Sequence, residues 1–309
     1  MSNPSEQIRR VFLCRGFAQS QNQKMSKLKV AIQKKGRLSD NSLKMLEECG
    51  IKFTNGTGKL KNEAKNFPLE VLFLRDDDIP YYVERQVADI GIVGENVVIE
   101  HNRDTETLKQ LNFGNCRLSL AIPREAGYTD INWFNGKRVA TSYPRILSDF
   151  FLDNGITAEI EEISGSVEIA PGIGLADAIC DIVSTGSTLM SNGLTEVETV
   201  MNSQAVLIAS KEMDIAKHEI LDRLLFRIMA TLNASGNKYI LLNAPDSATD
   251  EICSILPGMK SPTIMPLAAK GWNSIHSVIR EDEFWEVITR LKKAGAQGIL
   301  VIPIEKMIL

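Results

Sequence analysis

Histidine is rare in this chain: only His101, His218 and His276 occur, far apart and without the close pairing that zinc ligands show. A zinc site or a Ser-His-Asp triad is therefore not expected. The five cysteines (Cys14, Cys49, Cys116, Cys180 and Cys253) are scattered, odd in number and form no C-x-x-C. That excludes a disulfide framework and fits reduced thiols of a cytoplasmic protein. No apolar run approaches the roughly 20 residues that cross a bilayer, so no membrane partner is expected. Basic blocks with interleaved aromatics are missing and the formal charge is −4, which argues against a nucleic-acid partner. What remains is a globular composition, and 309 residues should hold two or three domains.

Residues 1–24 carry a short apolar patch, Val11–Cys14, too brief for a signal-peptide core. They are expected to be a disordered extension. After Met25, strands are expected at Leu28–Gln33, Val71–Arg75, Ala88–Gly94, Cys116–Pro123, Lys137–Thr141 and Ala158–Glu162, with helices between them. This alternation indicates parallel βαβ units, here in two α/β lobes with a cleft between. Lys34-Lys35-Gly36-Arg37 directly follows the first strand, where α/β sheets bind ligands. Its basic side chains would meet a polyphosphate. Glu196–Ile208 is expected to return as one or two strands to the first lobe.

Glu168–Thr188, EIAPGIGLADAICDIVSTGST, organises the rest. An apolar helical run (Ile173–Ile179) is expected to lead into a short strand at Asp181–Ser184. That strand breaks at Thr185-Gly186-Ser187-Thr188, where a helix starts. A Gly-centred, hydroxyl-rich turn at a helix start offers free N–H groups to a phosphate. Asp181 would accept from sugar hydroxyls. From Ala216 on, the order is a helix and then β-α-β-β-α-β, the ferredoxin-like split unit.

The spacing of Glu168, Gly174, Ala176, Ile179, Asp181, Thr185, Gly186, Thr188 and Leu189 resembles the signature of the ATP phosphoribosyltransferase family, which opens histidine biosynthesis. The likeness runs from about Leu28 to Met307. It implies a two-lobed catalytic core like a type II periplasmic binding protein, followed by the ferredoxin-like regulatory domain of the long form. Residues 25–115 with 200–224 would form the first lobe, 116–199 the second and 225–309 the regulatory domain. The implied reaction moves the phosphoribosyl group of phosphoribosyl pyrophosphate to N1 of ATP, with Mg²⁺ on the pyrophosphate.

By that resemblance Asp181, Ser184, Thr185, Gly186, Ser187 and Thr188 would hold the donor, and Glu168 and Asp181 would be the catalytic carboxylates. Lys34, Gly36, Arg37, Asp78 (of a D-I-P element), Gly94 and Glu95 would face ATP. Arg37 fits the family loop less closely than Gly36 does. Asn243, Thr263 and Gly298 would sense histidine as an inhibitor, and a homo-oligomer, dimer or hexamer, is implied. Two other readings stay open on sequence: a different transferase using the same donor, and a non-catalytic two-lobed binding protein with a sensor domain.

Overall fold

The computed structural model describes residues 26–53, 60–256 and 258–309; the expected disordered extension at 1–24 lies outside them. The chain divides into two compact units. One runs to Leu43 and then from Ile51 to Leu221; the other takes Lys44–Gly50 and Asp222–Leu309.

The first unit holds two sheets. Strands β1 (Leu28–Gln33), β2 (Lys61–Glu63), β3 (Leu69–Leu74), β4 (Ile90–Gly94), β5 (Thr105–Gln110) and β11 (Ala205–Ser210) form one, in the order β2-β3-β1-β4-β11-β5. β3, β1 and β4 are parallel, and β11 runs against them. Strands β6 (Cys116–Pro123), β7 (Arg138–Thr141), β8 (Glu159–Glu162), β9 (Ala178–Val183) and β10 (Leu194–Ser203) form the other, ordered β10-β6-β9-β7-β8. Here β8, β7 and β9 are parallel and β6 is reversed. Each sheet thus inserts one antiparallel strand from across a chain crossing, the topology of a two-lobed type II periplasmic-binding-protein core.

The parallel strands read as apolar runs because helices cover the sheet. Helices α1 (Arg37–Glu48), α2 (Ile79–Glu84) and α3 (Glu95–His101) follow β1, β3 and β4; α4 (Pro144–Asp153) and the five-residue α5 (Ser187–Ser191) follow β7 and β9. Ile79, Val83 and Val97 from α2 and α3 bury against Ala31, Val93, Val206 and Ile208. In the second sheet Ile146, Leu147 and Phe151 of α4 pack with Phe134, Leu118, Leu120 and Val139.

Several local expectations are corrected. Ile173–Asp177 is a turn, not a helix, and β9 begins at Ala178: Pro171, Gly172 and Gly174 interrupt a helix whose apolar spacing looked regular. Helix α1 starts at Arg37, ahead of the proposed Ser39-Asp40 cap. The returning segment makes two strands, one in each sheet, with only Gln204 between them.

The second unit contains the later part of α6 (Ile215–Ala234), then β12 (Asn237–Pro245), α7 (Thr249–Ile255), β13 (Thr263–Pro266), β14 (Trp272–Arg280), α8 (Phe284–Lys293) and β15 (Gln297–Pro303). The sheet order β13-β14-β12-β15 is antiparallel throughout, the ferredoxin-like arrangement. Ile240, Leu242 and Ala244 bury with Ile252, Ile275 and Leu291.

One charged group is built into the first core. Asp89 is 4% exposed; its carboxylate accepts the Lys29 N–H at 2.7 Å and the Lys217 ammonium at 2.8 Å. Removing one partner of a buried pair strands the other, at about 3–5 kcal/mol. Lys217→Ala, which strands the buried carboxylate, is expected to lose stability on that scale in urea titration, and Asp89→Ala to carry less of this penalty, because the lysine it strands is the more exposed partner.

Candidate functional site

The carboxyl ends of the two parallel strand sets supply the site. In the first sheet these ends lead into the Lys34–Gly36 loop, the Asp76–Asp78 3₁₀ turn and Gly94. The Lys34 N–H bonds to the Leu74 carbonyl at 2.7 Å, and the Gln33 amide donates to Asp76 at 3.2 Å, which ties the first two loops together. Lys34 and Arg37 stay exposed, and Gly36 has φ +100°. At Gly94 a Cβ would collide with Asn96 Oδ1, so any side chain there would displace the Asn96 amide. The Glu95 N–H bonds to the Gln204 carbonyl at 2.9 Å, and its carboxylate accepts from Gln110 at 3.5 Å.

In the second sheet β9 carries Asp181 and ends at the Ser184–Gly186 turn. Gly186 is left-handed, with φ 77° and ψ 0°, a conformation that glycine adopts without strain. The first α5 bond runs from the Met190 N–H to the Gly186 carbonyl at 3.1 Å, so the N–H groups preceding Met190 start the helix without such partners. Thr185 and Ser187 hydroxyls sit 3.1 Å apart and exposed beside them. With only five residues, α5 contributes little dipole; the donors themselves are the attraction for an anion. A cavity of about 460 Å³ adjoins the turn, bordered by Arg117, Arg124, Thr185, Gly186 and Glu196. Arg117 is engaged two-pronged with Glu196, while Arg124 donates to the Met190 carbonyl at 3.0 Å.

Tyr143 joins the two halves. It follows β7 in the T-S-Y-P turn, and its N–H bonds to the buried Thr141 hydroxyl at 2.9 Å. Burial pushes its hydroxyl well above the ordinary tyrosine value; Asp181, Asp77 and Asp76 add to the rise, and a bond with Asn96 opposes it. Asn96 is held in turn by the Ser203 hydroxyl at 2.8 Å. Burial likewise raises the Asp181 carboxyl, with Glu168 raising it further and the Ile182 N–H pulling it down. Asp76 is raised by burial and by Asp77.

Electrostatically, Asp181, Asp77 and Asp76 thus act on Tyr143 and Glu168 on Asp181, while Asn96 bonds to Tyr143. Of the aspartate run, Asp78 is exposed and precedes α2, whereas Asp76 and Asp77 interact with Tyr143. Sequence reading passed over Tyr143, Asn96 and Asp76. The signal available for Tyr143 was its place just past a strand's carboxyl end, with Pro144 starting the next helix.

In the second unit, Thr263 pairs with His276 and Asn243 with Ser274. A Cβ on Gly298 would lie 3.3 Å from the Asn243 amide nitrogen. All three therefore share the sheet face opposite the helices. His276 bonds there to Tyr239 at 2.6 Å and to Ser274 at 3.0 Å.

A family model described as ATP phosphoribosyltransferase matches residues 75–230, and one described as HisG, C-terminal domain, matches residues 234–306. The chain is 60% identical over 281 residues to the ATP phosphoribosyltransferase of Cytophaga hutchinsonii, covering 91% of this chain and 98% of that one. To the Bacteroides fragilis ATP phosphoribosyltransferase it is 56% identical over 282 residues, 91% of this chain and 100% of that one. Among solved structures, a chain of the ATP phosphoribosyl transferase (HisG:HisZ) complex from Thermotoga maritima aligns with TM-score 0.55 at 29% identity, covering 65% of this chain and 98% of that one.

The raised Asp181 carboxyl has a stability consequence. The folded state holds its proton to higher pH than the unfolded chain, so stability falls as pH rises through that window. Asp181→Asn removes the penalty. Its melting temperature should exceed wild type at pH 7 and converge with it below the ordinary aspartate range. A lower melting temperature at pH 7 would contradict the burial argument.

Proposed function

The chain belongs to the ATP phosphoribosyltransferase family, and we propose that it transfers the 5-phosphoribosyl group of phosphoribosyl pyrophosphate to N1 of the adenine of ATP, as a cytoplasmic enzyme at the first step of histidine biosynthesis. The observation that carries the reading is the open Thr185–Thr188 turn directly after the strand bearing Asp181. The C1′–pyrophosphate bond breaks, with the electron pair leaving on pyrophosphate, and a bond forms from adenine N1 to C1′. Adenine N1 is a weak nucleophile, so positioning and charge stabilisation carry most of the rate.

In this reading the turn's N–H groups and the Ser184, Thr185, Ser187 and Thr188 hydroxyls bind the 5′-phosphate. Asp181 accepts from the ribose hydroxyls, and Glu168 sets the field around it. Lys34, Gly36, Arg37, Asp78, Gly94 and Glu95 line the ATP side. Among the described residues no three His, Cys, Asp or Glu side chains group into a metal cage. Mg²⁺ keeps mostly substrate and water oxygens and takes one or two carboxylates. Asp181 and Glu168 are the carboxylates that would hold it, and its chemistry when bound is charge neutralisation on the pyrophosphate oxygens.

Histidine as feedback inhibitor is assigned to the open sheet face of the second unit, with Thr263, Asn243 and Gly298 as contacts. Inhibition from there requires differential affinity for two arrangements of a homo-oligomer.

Incubation with ATP, phosphoribosyl pyrophosphate and Mg²⁺ should release pyrophosphate; no release would refute the transferase reading. Losing a charge-assisted hydrogen bond costs about 1.5–3 kcal/mol, so Asp181→Asn should lower kcat/KM roughly ten- to a hundred-fold. Gly186→Val should raise the KM for the donor, because a β-branched residue is strained at positive φ.

For the regulatory arm, histidine should inhibit noncompetitively with ATP, over the roughly 5- to 150-fold that coupling of about 1–3 kcal/mol allows. Thr263→Ala should raise the inhibition constant. An unchanged constant, or competition with ATP, would remove the assignment.

A further inference from the structure

Helix α3 reaches the Tyr143 segment at two points one helical turn apart. Asn96 and Glu100 are four residues apart and share a helix face. Asn96 bonds to the Tyr143 side chain. Glu100 takes two backbone N–H groups at the start of α4: Arg145 on Oε1 and Ile146 on Oε2, each at 3.0 Å. These are orphan donors of a helix that opens with Pro144. At the left-handed end of α3, the Asn102 amide lies 2.7 and 3.1 Å from the Arg145 guanidinium nitrogens and satisfies them when its oxygen is the atom turned toward them.

A helix is usually capped by the residue just before it. Tyr143 occupies that place in α4, with φ −127° and no side-chain cap bond. The caps come instead from Glu100, 45 positions earlier, on a helix that packs on the first sheet while α4 packs on the second. The cap is thus a junction between the two halves, set two residues past Tyr143.

We propose that Glu100, seconded by Asn102, is a positioning residue: by capping α4 from the other lobe it fixes the segment that carries Tyr143 and keeps Tyr143 beside Asn96 for the transfer. The inference rests on the transferase reading for its chemistry but not for its structural content. Glu100 touches neither reacting atom in this scheme and acts through Tyr143.

The test is a double-mutant cycle on the full chain with pyrophosphate release as the readout. Glu100→Ala should lower kcat about tenfold, with a smaller change in either KM, and Glu100→Gln, which keeps one acceptor, should recover part of it. Because the residue acts through Tyr143, Glu100→Ala combined with Tyr143→Phe should be no more than about twofold slower than the slower single variant. Additive losses would overturn the proposal, as would a kcat unchanged in Glu100→Ala.

A second arm does not depend on activity. Amide hydrogen exchange at Tyr143, whose N–H is bonded within its own lobe, should accelerate in Glu100→Ala. Unchanged exchange there overturns the positioning role even if the wild-type chain releases no pyrophosphate, an outcome that would count against the transferase reading alone.

Discussion

Each sheet of the first unit contains a strand that the chain could place only by crossing from the other sheet, and the site depends on that exchange. β6 is the outgoing strand and β11 the returning one. Gln204 stands alone between β10 and β11, and it binds the crossings together. Its carbonyl takes the Glu95 N–H at 2.9 Å, and its side-chain oxygen takes the Asn112 N–H at 3.2 Å. One residue therefore ties the return path to the outgoing path and to the start of α3. The carboxyl ends of two parallel strand sets are thereby brought together, where Tyr143 bonds to Asn96 and feels the charges of Asp76 and Asp77.

The carboxylates of this protein fall into two kinds. Asp89, Asp177 and Glu196 are satisfied: Asp89 by Lys29 and Lys217, Asp177 by the Arg138 backbone and side chain, and Glu196 by Arg117 and Ser119. Asp177 and Glu196 are held below their ordinary values accordingly. Asp181 and Asp76 are pushed the other way, by burial and by neighbouring carboxylates. Stability alone gives no reason to bury like charges beside one another. Among the described residues Asp76 accepts from the neutral Gln33 amide and Asp181 from the Ile182 N–H, and uncompensated carboxylates of this kind are common at functional sites.

The parts of this architecture that were legible in the sequence are those whose signal is local. β1 and β6 are apolar runs bounded by turn residues, and both match their expected limits. The T-G-S-T turn declares itself through glycine and hydroxyls, and the β-α-β-β-α-β order through element lengths. β2 and β5 gave no such signal: Lys61-Asn62-Glu63 and Thr105–Gln110 are polar strands at the two edges of the first sheet, held by backbone bonds to a neighbour rather than by burial. The Asp76–Asp78 run is another case. Three adjacent aspartates look alike until the fold sets Asp76 against Gln33 and puts the charges of Asp76 and Asp77 within reach of Tyr143, and Tyr143 itself earns its place through residues from the other sheet.

Three glycines of the first unit show why residue type alone underdetermines function. At Gly91 a Cβ would lie 2.6 Å from Ile79 Cγ2, so the glycine lets α2 lie close on β4. At Gly94 the obstacle is the Asn96 amide, which must stay in place to reach Tyr143. Gly186 has neither neighbour: a Cβ there would lie 3.9 Å from its nearest atom, Val183 Cγ1, and only the backbone angle, φ 77°, demands glycine. The first two glycines face space that protein fills. At Gly186 the space beside the backbone is open, flanked by helix-start N–H groups and exposed hydroxyls. Val183 before the turn and Leu189 after it are buried in one core cluster, so packing fixes the two ends of the turn while leaving its hydroxyls exposed, the feature on which the proposed phosphate site rests.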